Sequence, residues 1–261
     1  MNAWRFQSGA WEGRASVALD DRGFRYGMSV FETVAVAGGR ALFLKEHLER
    51  LGRAAAARGW EEMVLPESLP EIPGGREAPA TGVVRLYLTA GPGAAGDPIF
   101  GSAFALFEAC AVGTSFSPLR IASSGAPYFS GPGGWKTGNY WQNVDALGFA
   151  RDAGVDDALL YSPSGALVSA SMANVFLQVD GRWVTPAREV GARDGVVRAW
   201  VLERICASEE VLDLEASMRC TACFLTNSRV GIRAVVELDG RPLLLESAAL
   251  QERYCEEVIG I

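Results

Sequence analysis

Gly134-Trp135-Lys136-Thr137-Gly138-Asn139-Tyr140-Trp141-Gln142-Asn143 stands near the middle of a 261-residue chain and separates its two halves. The chain holds only two lysines, Lys45 and Lys136, against twenty-two arginines. Where a bare positive charge suffices, this composition uses Arg. Lys136, kept between a Gly/Pro loop and the expected start of a helix, therefore points to chemistry that a guanidinium cannot perform. An amine can lose its proton and form a Schiff base with an aldehyde, whereas guanidinium stays protonated. The ordinary alternative is a solvated surface lysine, and the surrounding sequence has to decide between the two.

Just upstream, residues 123–134 contain four glycines and two prolines and read as a linker, preceded by a short strand at Leu119–Ala122. Farther back, residues 15–20 read as a short strand ending in a turn at Asp21–Gly23. Ser29–Ala37 alternates, breaks at Gly38-Gly39 and resumes at Arg40–Leu44, a two-glycine hairpin. A helix over about 44–58 places Leu44, His47, Leu48 and Leu51 on one stripe, with Arg50 beside it, facing either solvent or the interior. Residues 64–81 read as an exposed connection. Strands follow at Gly82–Thr89 and Ala103–Ala109, and the glycine-rich Ala90–Asp97 between them reads as a flexible loop. No GK[ST] or G-x-G-x-x-G pattern makes it a phosphate cradle.

Downstream, a helix near 139–153 leads to strands at Ala158–Tyr161, 166–168, 173–179 and Arg182–Thr185. A helix near 194–206, a strand at Ala222–Thr226, a hairpin around Asp239-Gly240 and a closing helix near 246–257 complete the chain. The fold class is α/β (mixed α+β): a smaller N-terminal domain over 1–118, a strand and linker over 119–136, and a larger C-terminal domain over 137–261.

Net charge is −7 with pI near 4.9, which argues against non-specific binding of nucleic acid or anionic membranes. No apolar run approaches transmembrane length, and the N-terminus lacks the apolar core of a signal peptide, so a cytoplasmic protein is expected. The five cysteines form no framework. Cys220 and Cys223 make a lone CxxC, and the single histidine, His47, lies in a helical pattern. Neither a metal site nor a Ser-His-Asp mechanism is expected.

Seven stretches, in order, resemble the fold-type IV pyridoxal-phosphate enzymes. These are the class IV aminotransferases, which include branched-chain and D-amino-acid aminotransferases and 4-amino-4-deoxychorismate lyase. They are Asp21–Gly27 with Val30–Thr33; His47–Leu51; Lys136–Asn139; Gly165–Val168 leading to Ala173–Phe176; Thr185-Pro186; Gly195–Arg198; and Phe224–Ile232. The resemblance spans about residues 15–245 and implies a two-domain aminotransferase-like fold, pyridoxal 5'-phosphate as cofactor, a small-molecule amino substrate and a homodimer.

By that resemblance, Lys136 holds the cofactor aldehyde and then serves as the proton-transfer base. Arg50, the first N–H groups of the helix at Val196 and Val197, and the Ser228 hydroxyl bind its phosphate. Tyr140 approaches the ring hydroxyl, and Tyr26 and Phe31 line the substrate side. Two departures stand out. Family members usually carry a glutamate five residues before the motif asparagine, here Asn174, and it keeps the ring nitrogen protonated. Ser169 takes its place, and losing about 2–3 kcal/mol there would slow carbanion formation on the order of a hundredfold. Ala90, Ala94 and Ala95 occupy the loop where related lyases and D-amino-acid enzymes often carry carboxylate-binding arginines.

Thr226-Asn227-Ser228 and the short chain resemble the lyase, whereas Tyr26–Glu32 resembles the branched-chain enzymes. The expected reaction is conversion of 4-amino-4-deoxychorismate to 4-aminobenzoate and pyruvate. The alternatives are an amino-acid or amine transaminase, and a catalytically silent cofactor-binding homologue created by the change at Ser169.

Overall fold

An N-terminal hairpin opens the chain: β1 (Asn2–Gln7) turns back into β2 (Ala10–Gly13), with Phe6 against Trp11 at 5.2 Å between ring centroids. The computed structural model describes residues 2–13, 15–60, 63–72, 80–113, 117–131 and 134–261. The chain forms two compact units, Met1–Val112 with Trp135–Asn139, and Gly113–Gly134 with Tyr140–Ile261. The expected connection at 64–81 lies outside the described residues over 73–79, and the linker at 123–134 does so at 132–133.

The first unit continues through α1 (Arg22–Tyr26), β3 (Ser29–Ala37), β4 (Arg40–Ala41), α2 (Leu44–Ala56), β5 (Gly82–Thr89) and β6 (Ser102–Ala109). Its sheet is antiparallel throughout, in the order β2-β1-β6-β5-β3-β4. Alternation along β3 sends Val30, Val34 and Val36 into a core with Leu51, Ala54, Ala55, Leu86 and Leu88. The stripe on α2 supplies the other side of that core, and α2 packs on β3.

Two readings of this half are corrected. Residues 15–20 form no strand; Val17 and Leu19 stay exposed, and the turn expected at Asp21–Gly23 is the capped start of α1. The outer strands of this end are instead β1 and β2. The glycine-rich loop is not loose either. Arg22, fully buried, donates to the carbonyls of Ala90 (2.6 Å), Gly91 (3.1 Å), Ala94 (3.4 Å), Asp97 (2.7 Å) and Pro98 (2.9 Å). One guanidinium thus satisfies most of the loop's inward carbonyls.

The second unit contains β7 (Leu119–Pro127), α3 (Trp141–Asp152), β8 (Asp157–Tyr161), β9 (Leu167–Ala170), β10 (Asn174–Val179) and β11 (Arg182–Pro186). It continues through α4 (Val196–Leu202), β12 (Ala207–Glu210), α5 (Leu214–Arg219), β13 (Ala222–Asn227), β14 (Gly231–Leu238), β15 (Arg241–Pro242) and α6 (Ala248–Tyr254). The sheet runs β12-β11-β10-β13-β14-β7-β8-β9, with β15 added to β14, and pairs in parallel at β11/β12, β14/β7 and β7/β8. Near-continuous apolar runs such as Ala158–Tyr161 and Ala222–Leu225 fit strands buried on both faces. Phe176 and Phe224 stack at 4.8 Å in the middle of the sheet.

Here too the segment 119–136 differs from its reading. β7 runs five residues past Ala122, because Asp239 accepts from Ser123 N (2.7 Å) and Ser123 Oγ (2.8 Å) while β8 pairs alongside. Lys136 belongs to the first unit, with Trp135 packed against that unit's core.

Candidate active site

In the first unit the segment carrying Lys136 lies along the edge of β3 that β4 leaves open. Lys136 O accepts from Phe31 N (2.9 Å), Thr137 bridges Val30, and Gly138 N donates to Ser29 O (3.0 Å). Backbone pairing to β3 therefore fixes the main chain of the lysine. Its Nζ stands 4.1 Å from the centroid of the Phe31 ring, and Phe31 stacks on Tyr87 at 5.4 Å. Phe31 is thus a floor beneath the amine. Asn139 closes on Gly27, the left-handed cap of α1, where a Cβ would strike the asparagine amide.

Glu32, the next residue on β3, points the other way, toward α2. Its carboxylate is 2% exposed and accepts from Arg50 Nε (2.6 Å) and Arg50 Nη2 (2.5 Å), and it meets His47 Nδ1 at 2.8 Å. Burial pushes the Glu32 pKa up, but the Arg50 charge and the Arg50 and His47 hydrogen bonds outweigh it and hold the value at about 2. Burial pulls His47 below its ordinary value despite Glu32, so the imidazole is neutral and Nδ1–H donates to the carboxylate. Arg50 accordingly faces inward, gripped in a forked pair. Lys136 and Arg50 approach neighbouring residues of one strand, Phe31 and Glu32. Tyr26 sits at the end of α1, 44% exposed, beneath the Arg25 guanidinium at 4.8 Å.

In the second unit Tyr140 occupies the N-cap position of α3. Its hydroxyl accepts from Arg193 Nη1 (2.5 Å), and the guanidinium also lies 4.9 Å from its ring centroid. Arg193 Nη2 donates to Tyr128 Oη (3.3 Å), which donates to Asn143 Oδ1 (3.5 Å). Asn143 Nδ2 in turn donates to Ser171 O (2.6 Å). The main chain of Arg193 is fixed as well, since its carbonyl accepts from Asn174 Nδ2 (2.9 Å).

Val196 and Val197 begin α4, which packs on β13. First-turn N–H groups lack intrahelical acceptors, and Gly195 at the N-cap offers no side chain to take them. A Cβ there would meet Asn174 Oδ1 and displace the amide that pins the Arg193 carbonyl. On β13, Thr226 Oγ1 is buried without a hydrogen-bond partner among the described residues. Asn227 Oδ1 accepts from Arg229 N and Val230 N, each at 3.0 Å, and so shapes the turn that carries Ser228. Thr226 faces Asn174 across β13 and β10, and Asn174 abuts Gly195, so the orphan hydroxyl and the uncapped helix start lie on either side of one residue, and each is a donor type suited to a phosphate monoester.

Ser169 is buried on β9, opposite Leu160 of β8. A buried carboxylate does occur on β8, Asp157, but it accepts from Ala158 N (2.7 Å), Ser171 N (3.1 Å) and Ser171 Oγ. It is committed to the turn after β9. Among the residues expected from sequence, Lys136 and Phe31 meet in the first unit. Arg193 and Tyr128 carry no reading from the sequence, while Thr226, Glu32 and His47 enter it only within motifs or on the α2 stripe, without a role at the site. For Arg193 a sequence signal existed: a charged residue in the tight Gly191–Gly195 loop ahead of a helix.

The class IV aminotransferase model matches residues 29–238 of this chain. A Methanocaldococcus jannaschii protein with the provisional name branched-chain-amino-acid aminotransferase is 29% identical, covering 87% of this chain and 84% of its own. Among solved structures, a branched-chain aminotransferase from Thermoproteus uzoniensis with norvaline superposes with a TM-score of 0.85 at 21% identity, covering 100% of this chain and 95% of that one. The 4-amino-4-deoxychorismate lyase from Pseudomonas aeruginosa gives 0.79 at 22% identity, covering 98% and 99%. At these identities the two structures establish the fold.

Proposed function

The chain belongs to the class IV aminotransferase family, pyridoxal-phosphate enzymes of fold type IV, and on that premise we propose that it cleaves 4-amino-4-deoxychorismate to 4-aminobenzoate and pyruvate. The observation that carries this choice is the turn after β13. Asn227 builds it by accepting two backbone N–H groups, whereas the Gly-Thr-Ala form of the branched-chain enzymes has a threonine there, whose hydroxyl makes such turns more weakly.

Bound pyridoxal phosphate supplies the electron sink. Lys136 supplies the amine that holds the cofactor and, once released, moves the proton at the substrate carbon. Main-chain pairing to β3 fixes the position from which its side chain acts. In the first unit Arg50 is the proposed phosphate partner, aimed by Glu32, and Phe31 and Tyr26 are the proposed substrate-side residues. In the second, Val196, Val197 and Ser228, joined by Thr226, are the proposed phosphate donors. Tyr140 serves the ring hydroxyl and Ser169 the ring nitrogen. Ser169 offers a hydroxyl but no negative charge, and a reaction whose product becomes aromatic tolerates that weaker assistance better than transamination does.

No helix among the described residues is long and apolar enough to cross a membrane. A cytoplasmic homodimer belongs to the same proposal, dimers being the family's habit.

The provisional name of the M. jannaschii relative favours a second reading, an amino-acid transaminase. Purified protein with pyridoxal phosphate, given 4-amino-4-deoxychorismate alone, distinguishes the two. Pyruvate and 4-aminobenzoate in equal amounts, abolished by Lys136→Ala, support the lyase. Product only from an amino acid together with a 2-oxo acid supports the transaminase, and no visible cofactor band in either protein overturns both.

A further inference from the structure

Arg193 has no role in the cofactor assignment above, yet it donates to the Tyr140 hydroxyl at 2.5 Å. Its two terminal nitrogens bridge two phenols, Tyr140 at 2.5 Å and Tyr128 at 3.3 Å, and its charge lies against the Tyr140 ring. Asn174 pins its carbonyl, and Asn143 anchors Tyr128 from behind. A guanidinium donates and never accepts. Tyr140 must therefore accept from Arg193, and its own proton is directed to some other acceptor. A cationic donor on the phenol oxygen also strengthens the phenol as a donor in turn.

We propose that Arg193 is a positioning residue that makes Tyr140 an obligate, polarised hydrogen-bond donor toward the cofactor. The proposal rests on the reading of Tyr140 as the partner of the cofactor's ring hydroxyl. In this chain it has particular weight, because Ser169 supplies no charge at the ring nitrogen. The electrostatic bias of the site then comes from Arg193, through a tyrosine.

The test uses the whole chain loaded with pyridoxal phosphate and reads the pH midpoint of the visible cofactor band and the cofactor dissociation constant. Wild type, Arg193→Leu, Arg193→Lys, Tyr140→Phe and the Arg193→Leu/Tyr140→Phe double variant are compared. A stronger donor on the cofactor's ring oxygen draws charge from it and disfavours protonation of the Schiff base, so Arg193→Leu, which weakens Tyr140 as that donor, raises the midpoint by about one pH unit. It also weakens cofactor binding about tenfold. Arg193→Lys, which keeps the charge and one donor, recovers part of both effects. In the Tyr140→Phe background the leucine substitution changes the midpoint by less than about a third of that amount.

A midpoint unmoved by Arg193→Leu, or moved equally in both backgrounds, overturns the proposal. If the leucine variant does not fold, as judged by circular dichroism, the lysine variant decides: a wild-type midpoint and affinity there show that the two-phenol fork is not used. Absence of a visible band in the wild type marks instead the failure of the cofactor reading itself.

Discussion

Glu32 grips Arg50 through both carboxylate oxygens, Nε–Oε1 at 2.6 Å and Nη2–Oε2 at 2.5 Å, at a position almost closed to solvent. The pair joins β3 to α2 and fixes the direction of an arginine that would otherwise turn toward water. Removing the negative partner leaves a mostly buried cation uncompensated. Glu32→Gln is expected to cost about 3–5 kcal/mol of stability. Urea denaturation of wild type and variant measures it, and a loss below about 1 kcal/mol would mean the pair is no more than a surface contact.

The same cluster sets the acid response. Glu32 is held at about 2 in the folded protein against an ordinary 4.5, a depressed value. Its contribution is thus complete above 4.5 and drains away as pH falls toward 2. His47 is depressed below its ordinary 6.5, so the unfolded chain takes up a proton that the folded chain refuses. Stability therefore begins to fall below pH 6.5 and falls further below 4.5. Melting temperature against pH should show both declines in wild type, and His47→Gln should lack the earlier one.

Arg22 is the structural counterpart on the other side of the first unit. Lysine at this position keeps the charge but offers three hydrogens to five carbonyls, with no planar fork. Arg22→Lys is expected to cost about 2–4 kcal/mol, chiefly from backbone carbonyls left buried without donors. The loop at 90–98, which carries Ala94 and Ala95, should also become the first site of nicking by elastase, which cuts after small residues. Equal stability and unchanged proteolysis would show that solvent satisfies those carbonyls without the arginine.

That arginine also marks where the sequence could and could not be read. The two-glycine hairpin, the α2 stripe and the long apolar strands of the second unit are local patterns, and the structure has them close to where they were expected. The clamp on the glycine-rich loop joins residues about seventy positions apart, so composition alone reads that loop as loose. β12 and α5 were missed because Ala207–Glu210 is polar and Leu214–Arg219 is short; pairing with β11 and the Asp213 cap form them. In the candidate site, Lys136 was legible from its rarity and its motif. Arg193 and Glu32 were not, since each acts through a partner fifteen to sixty-five residues away.

Ser169 carries the sharpest prediction about rate. It is buried on β9, and no carboxylate substitutes for the usual glutamate through Asp157, which is engaged by Ala158 and Ser171. Restoring a carboxylate with Ser169→Glu should favour the protonated ring nitrogen and speed carbon–hydrogen cleavage on the order of a hundredfold. The longer, charged side chain in a buried strand should lower stability of the cofactor-free protein at the same time. Wash-out of deuterium from the amine-bearing carbon of the substrate reads the first effect, and thermal unfolding without cofactor reads the second. Ser169→Ala should slow wash-out by a few-fold only, since a single neutral hydrogen bond is lost. If glutamate and alanine at 169 both leave wash-out at the wild-type rate, the ring nitrogen is served from elsewhere in the chain. The exchange at this position would then have no bearing on the strength of the electron sink.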